Sequence, residues 1–279
     1  PQEFYDLYKD RDFTAVKAHP DDGYMRHPWI EQQNGVMNAD TPFQDDAERH
    51  AAHVAYYGLI SWLDHNIGQI MGTLDETGLT ENTTVIYSSD HGDNVGARGL
   101  WGKSNMYEEA AAIPMIMAGP DISPGICKTP VSLLDISATI PSYFGLTPER
   151  EMIGTDLRRI ADAPEDKGRV IFSEYHAVGA VTGAFMIRKG NWKLIHYVNF
   201  EPELFNLDAD PEELTTHAGN PVYADKLAEL TAELHNICDP EAVDARAHAD
   251  QRAMVDALGG LEAARHLGPK GATPPPEVT

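Results

Sequence analysis

The sequence predicts an α/β fold with a small antiparallel sheet appended to it, and three observations carry that expectation. A helical stretch from Asp45 to about Thr77 precedes two short β-rich runs, TTVIYSSD (83–90) and IPMIMAG (113–119). A second helical stretch, VSLLDISATIPSYFG (131–145), completes a helix–strand–loop–strand–helix order, the mark of an α/β unit. Beyond residue 168 the pattern changes to four short strand-like runs divided by Gly or Asn.

Taken in order, residues 1–44 are rich in Pro, Asp, Tyr and His without sustained periodicity, which predicts a long loop with short elements. In the first helix Tyr56, Leu59, Ile60, Leu63, Ile67, Ile70, Met71 and Leu74 recur every three or four residues and form one apolar face. Asp45 and Asp46 place negative charge at its start, and Gly78 is its stop. The run 83–90 is β-branched and aromatic, so it is expected to be a buried strand that delivers Asp90 and His91 at its carboxyl end. Residues 146–168 read as a loop. RVIFSEY (169–175), GAFMIRKG (183–190), WKLIHYV (192–198) and EPELFNL (201–207) read as a small antiparallel sheet, followed by a helix from about Pro221 to Ile237. The end, GPKGATPPPEVT, is Pro-rich and predicts an extended tail. The expected division is 1–160 for the α/β portion, 161–238 for the small sheet with its helix, and 239–279 for the tail.

Forty-four acids against 21 bases give a net charge of −23, a surface that repels nucleic acid and anionic membranes. No apolar run approaches the roughly 18 residues of a transmembrane helix. Residues 1–20 lack the segments of a signal peptide, and a chain that opens on Pro1 is expected to continue a longer one. Cys127 and Cys238 make no disulfide framework, which leans toward a reducing, cytoplasmic compartment.

Chemistry concentrates in SSDHGDNVGARGLWGKSNMYEE (88–109). Asp90 and His91, released from a strand into Gly92, can turn a carboxylate and an imidazole toward one point, a mixed donor pair suited to a divalent cation. Lys103, behind Trp101 and Gly102, would add a second positive contact for a tetrahedral oxyanion. Asp93 is either a partner that orients His91 or a turn aspartate. Arg98 either meets an acidic substrate or pairs with Glu108 or Glu109. His176 opens a loop after a strand and is either a substrate contact or a surface histidine. Trp101 either walls the pocket or fills core. His50 and His53 share a helical face without carboxylate company, and His65 reads as a packing or capping residue.

These stretches resemble type I sulfatases of the alkaline-phosphatase-like superfamily. The resemblance runs through YYGLISWLDHNIGQIMGTLDETGL, VIYSSDHGDNVGARGLWGKSNMYEEAAAIPMIMAGP, LLDISATIPSYFGL and ELFNLDADPEEL, covering most of residues 40–235. SEYHAVGAVTGAFMIRKGNWKLI and CDPEAVDARAHADQ are most similar to choline-sulfatase-like enzymes. The resemblance implies an alkaline-phosphatase-like mixed sheet flanked by helices. It also implies that Asp90 and His91 are ligands of one divalent ion, Ca²⁺ ahead of Mn²⁺ or Mg²⁺, with His91 where many relatives carry Asn. Lys103 would contact the sulfate or its bridging oxygen. In that family a formylglycine hydrate, made from the Cys or Ser of a C/S-x-P-x-R motif, attacks sulfur while metal and lysine stabilise the developing charge.

That motif is absent here. Cys238-Asp239-Pro240-Glu241-Ala242 has Ala242 in place of the arginine, and Cys127 precedes its proline by one residue too many. The paired aspartates and the histidine of the family's N-terminal region are missing as well. The expectation is therefore a C-terminal sulfatase portion, without its nucleophile and without turnover alone, that needs an N-terminal catalytic segment to hydrolyse a small sulfate ester. A phosphoester or phosphonate monoester hydrolase of the same superfamily, and a non-catalytic module completed by a separate chain, stay open beside it. Residues 240–279 are expected to pack on another subunit of a homo-oligomer.

Overall fold

The computed structural model describes residues 1–13, 25–37, 43–146 and 152–266. Two short helices, α1 (Gln2–Asp6) and α2 (Pro28–Met37), are the short elements expected of the first 44 residues. Asp45 then accepts the backbone N–H of Glu48 at 2.9 Å and opens α3 (Asp46–Glu76), whose end is turned by Gly78 at φ +69°. α1 lies so close across α3 that a Cβ on Gly58 would stand 3.1 Å from the Phe4 carbonyl oxygen. Glycine at this position is what permits the crossing.

Strands β1 (Val85–Ser88) and β2 (Met115–Ala118) pair antiparallel, Val85 opposite Ala118, with the short helix α4 (Glu108–Ala111) on the connection between them. The expected buried strand is only half-buried, and Ile116 is exposed. The reason lies in the sheet: it has two strands among the described residues, so no neighbouring layer covers it. Helix α5 (Leu133–Tyr143) starts on a capping box between Ser132 and Asp135. Buried Asp135 also accepts the Thr155 N–H at 2.8 Å and the Arg169 guanidinium at 2.6 Å, tying α5 to the chain that follows. Within the predicted loop 146–168 lies a short helix, α6 (Leu157–Asp162), capped by Asp156. With under two turns, it offers no periodicity to read.

The four predicted strands are present as β3 (Val170–Tyr175), β4 (Ala184–Lys189), β5 (Trp192–Tyr197) and β6 (Glu203–Asn206), an antiparallel meander in sequence order. Alternation divides its core in two. Phe185, Ile187, Leu194 and Leu204 face Leu230 and Leu234 of α7 (Ala224–Ile237), the predicted helix, which a single 3-10 turn at Pro221–Tyr223 precedes. On the other face Ala184, Met186, Ile195, Tyr197 and Phe205 pack against Trp29 and Ile30 of α2 and against Leu100, Met106 and Tyr107. Full burial of each such side chain contributes about 1.5–3 kcal/mol. The loop that carries the candidate chemistry therefore rests directly on the meander.

The expectation of an extended tail from residue 239 is corrected. Asp239 accepts the Ala242 N–H, Pro240 takes the first helical position, and α8 (Pro240–Ala257) follows, with α9 (Leu261–His266) after it. Helix α8 docks on its own chain. Val243 joins the α7-facing core, Asp244 accepts the buried Gly183 N–H at 2.6 Å, and Gln251 donates to the His176 carbonyl. The Pro-rich residues 267–279 lie outside the described residues.

Candidate active site

Strand β1 ends at Ser88 and releases Asp90 and His91 at its carboxyl end, as the sequence predicts. One Asp90 oxygen, Oδ1, accepts the His91 N–H at 2.9 Å; that bond holds the Asp90 carboxyl below its usual range although burial opposes it slightly. His91 Nδ1 lies 2.8 Å from the Gly92 carbonyl. A carbonyl only accepts, so Nδ1 carries the proton and, in the neutral ring, Nε2 presents a lone pair. That nitrogen stands 3.3 Å from Asp90 Oδ2. Asp90 Oδ2 and His91 Nε2 thus lie side by side on an open surface, where the Asp90 side chain is 79% and the His91 side chain 40% exposed.

Lys103 is tied to this pair by backbone. Asp93 Oδ1 accepts the N–H groups of Val95 and Gly102 at 2.9 and 3.2 Å. Asn94 donates its backbone N–H and its side-chain amide to the Gly102 carbonyl at 2.6 and 2.8 Å. The residues just after the donor pair therefore grip the residue just before Lys103, and Gly102 supplies the φ of +74° that the turn requires. On the other side Ser104, at φ +85°, is held through its carbonyl by Gln33 of α2. The Lys103 side chain itself is exposed. Asp93 is thus a turn aspartate, and no bond joins it to His91.

Arg98 takes the ion-pair alternative. It is 1% exposed, stacks 4.0 Å over the Tyr107 ring, and binds Glu109 and the Glu212 carbonyl, which leaves no open guanidinium for a substrate. Trp101 folds away toward α3 and packs on His53 and, edge-on, on Phe43. His53 meets the Val95 carbonyl at 3.1 Å and His50 the Lys9 carbonyl at 3.0 Å, while His65 packs on Phe4. His176 lies against Phe185 and 3.4 Å from Glu174, beside a crevice of about 10 Å³ under α8. The described contacts do not bring it together with Asp90, His91 or Lys103. Cys127 and Cys238 are both free.

A buried polar network beneath the loop is the part sequence reasoning missed. Glu203 of β6 accepts from the hydroxyls of Tyr107 and Tyr197 at 3.2 and 2.9 Å. Burial raises its carboxyl to about 7, against the pull of those two hydroxyls. Lys193 of β5, wholly buried, lies 3.0 Å from Glu108 and 2.8 Å from Glu213. Burial opposes the charge on Glu108, but Lys193 and Arg188 outweigh it and hold that carboxyl below its ordinary range. Glu213 also accepts the Glu108 N–H at 2.6 Å.

Among the described residues no three His, Cys, Asp or Glu side chains converge as a metal centre. Asp90 and His91 fit a divalent ion in donor chemistry, as two of the four or more ligands such an ion takes.

The α/β framework with its small antiparallel sheet is the alkaline-phosphatase-like fold of solved sulfatases. A putative sulfatase from Bacteroides thetaiotaomicron VPI-5482 shares the fold with a TM-score of 0.65 at 22% identity, over 91% of this chain and 59% of its own. The phosphonate monoester hydrolase of Agrobacterium radiobacter does so with a TM-score of 0.62 at 23% identity, over 69% and 42%. The sulfatase profile matches residues 21–146, and that of the N-sulphoglucosamine sulphohydrolase C-terminal region matches residues 96–239. Choline-sulfatase of Rhizobium meliloti (strain 1021) is 35% identical over 83% of this chain and 46% of its own length. Arylsulfatase K of Xenopus laevis is 30% identical over 80% of this chain and 43% of its own. The chain belongs to the sulfatase family. It spans somewhat under half the length of these curated relatives.

Proposed function

We propose that this chain is the lysine-bearing portion, with part of the metal site, of a hydrolase for small sulfate esters, choline sulfate among them. The carrying observation is the loop 90–103, in which two adjacent donors and Lys103 are tied together through Asp93, Asn94 and Gly102. Asp90 and His91 would hold a divalent ion, Ca²⁺ first among the candidates, which when bound polarises the ester oxygens. Lys103, exposed beside them, is set to neutralise negative charge that gathers on the sulfate or on the departing oxygen. His91 keeps its proton on Nδ1 through the Gly92 carbonyl, so Nε2 stays available. The attacking group comes from a preceding segment, and the exposed apolar faces of α3, β2 and α5 are the surface it would cover.

The test is hydrolysis by the whole protein, with its N-terminal portion, of aryl and choline sulfates and of a phosphonate monoester. Sulfate esters are expected to be preferred, and Lys103→Ala and Asp90→Ala are each expected to lower kcat by about 100-fold or more. Near-normal rates in both variants would overturn the site, preference for the phosphonate would overturn the substrate class, and efficient turnover by residues 1–279 alone would overturn the external nucleophile.

A further inference from the structure

We propose that Lys193, buried in the terminal meander, is a positioning residue for Lys103; this rests on the hydrolase proposed above for its kinetic arm only. Lys103 lies within a stretch fixed at both ends by residues far away in sequence. At the near end Arg98 holds Glu109 and the Glu212 carbonyl. At the far end Lys193 Nζ sits between Glu108 Oε1 at 3.0 Å and Glu213 Oε1 at 2.8 Å, while Arg188 binds the other Glu108 oxygen at 2.9 Å. Glu213 completes the clamp by accepting the Glu108 N–H.

The location of this cluster argues against a role in stability alone. A buried ion pair is a poor stabiliser compared with apolar packing, because removing two charges from water offsets most of their attraction. What it supplies is direction: Glu108 can satisfy Lys193, Arg188 and Glu213 in one place only. The next anchor back along the chain, Tyr107 on Glu203, is also on the meander. Between these anchors and the Asp93–Asn94 grip on Gly102 the chain has four residues, Lys103 to Met106. Ser104 there holds a positive φ that only a fixed surround would keep. With Ser104 held by Gln33 and Tyr107 by Glu203, freeing Glu108 removes one of the three anchors that aim Lys103, and Lys193 never touches the substrate.

A double-mutant cycle in the whole protein, read by choline sulfate hydrolysis, tests this. Lys193→Met is expected to lower kcat by about 100-fold with KM changed less than about threefold, since a misplacement near 1 Å costs that much. In a Lys103→Ala background the same change is expected to cost under about threefold, because the group it positions is gone. Equal losses in both backgrounds would overturn the proposal. Should Lys193→Met fail to fold, Glu108→Gln enters the same cycle, since it removes one charge and keeps the N–H that Glu213 grips. Hydrogen exchange on the 279-residue chain gives a second reading that needs no activity. In either variant the Asn94 and Gly102 amides are expected to lose protection while Ser173 and Met186, which pair across the meander, keep theirs. Unchanged protection at Asn94 and Gly102 would overturn the proposal even if the wild type hydrolysed no sulfate ester, an outcome that by itself would count against the hydrolase reading alone.

Discussion

Glu203 is a carboxylate in a place where carboxylates are costly, and its titration should show in the stability of the chain. A glutamate free in solution titrates near 4.5, and this one near 7. Between those values the folded chain keeps a proton that the unfolded chain has released. Its contribution is full below about pH 4.5 and is lost as pH rises to about 7, a loss of up to about 3 kcal/mol. Glu203→Gln cannot ionise and is expected to flatten that slope in urea unfolding measured at pH 5 and pH 8; an unchanged slope would count against it. Part of this site was legible in the sequence. Asp90, His91 and Lys103 lie within fourteen residues of one another, and chemistry over so short a span shows in the residue types. Glu203 and Lys193 were not noticed, although the period-two rule offered a signal. Each alternates with an inward residue, Phe205 or Ile195, so each charge was destined for the core. What no pattern could supply was the partner, since Glu108 lies 85 residues from Lys193.

At the scale of elements, α8 shows how composition misleads. The Pro-rich terminus coloured the expectation for everything after Cys238, yet Asp239-Pro240 is a helix-start signal and the residues that follow are rich in Ala. The contact that seats α8 is specific. Asp244 receives the Gly183 N–H, and Asp244→Ala would leave that donor buried and unpaired, at about 1–3 kcal/mol. Asp239→Ala removes only the cap and is expected to cost about 1 kcal/mol. Thermal melts of both variants check the order: a larger loss from the cap than from Asp244 would mean that α8 is held by its own helicity rather than by the sheet. The meander, in contrast, was legible strand by strand. Each strand is bounded by residues that break the run, and Gly190 with Asn191 makes the tight link from β4 to β5.

For the molecule as a whole, the contrast lies between its two sheets. The meander is covered on both faces, whereas β1 and β2 stand as a pair beside apolar residues left open on three elements. Ile70 of α3 is 62% exposed, Ile116 of β2 58% and Ile140 of α5 51%. The periodicity of α3 predicted an apolar face, but Leu59, Ile60, Leu63 and Ile70 of that face are exposed, and the helix buries His53, Val54 and Gly58 instead. Apolar residues left open on three elements are expected to be covered by a further layer. In the isolated chain the β1 and β2 amides are therefore expected to exchange at least about 100-fold faster than those of β4 and β5. An apolar fluorescent dye is expected to bind the 279-residue chain, and the preceding segment proposed above is expected to suppress that binding. Equal exchange in the two sheets, or equal dye binding, would show that the open face needs no cover.

The meander also bears on how the molecule comes together in time. Its strands pair only with their neighbours in sequence, so it forms without closing any long loop. The Lys103 stretch depends on the opposite kind of contact, with Glu213 acting on Glu108 across 105 residues. Such contacts cost loop entropy first and return energy last. The meander is therefore the early unit of the folding pathway, and the candidate site is set only when the far end of the chain is already in place. A ribosome that has released only the first half of this chain holds Asp90, His91 and Lys103 but nothing to aim them.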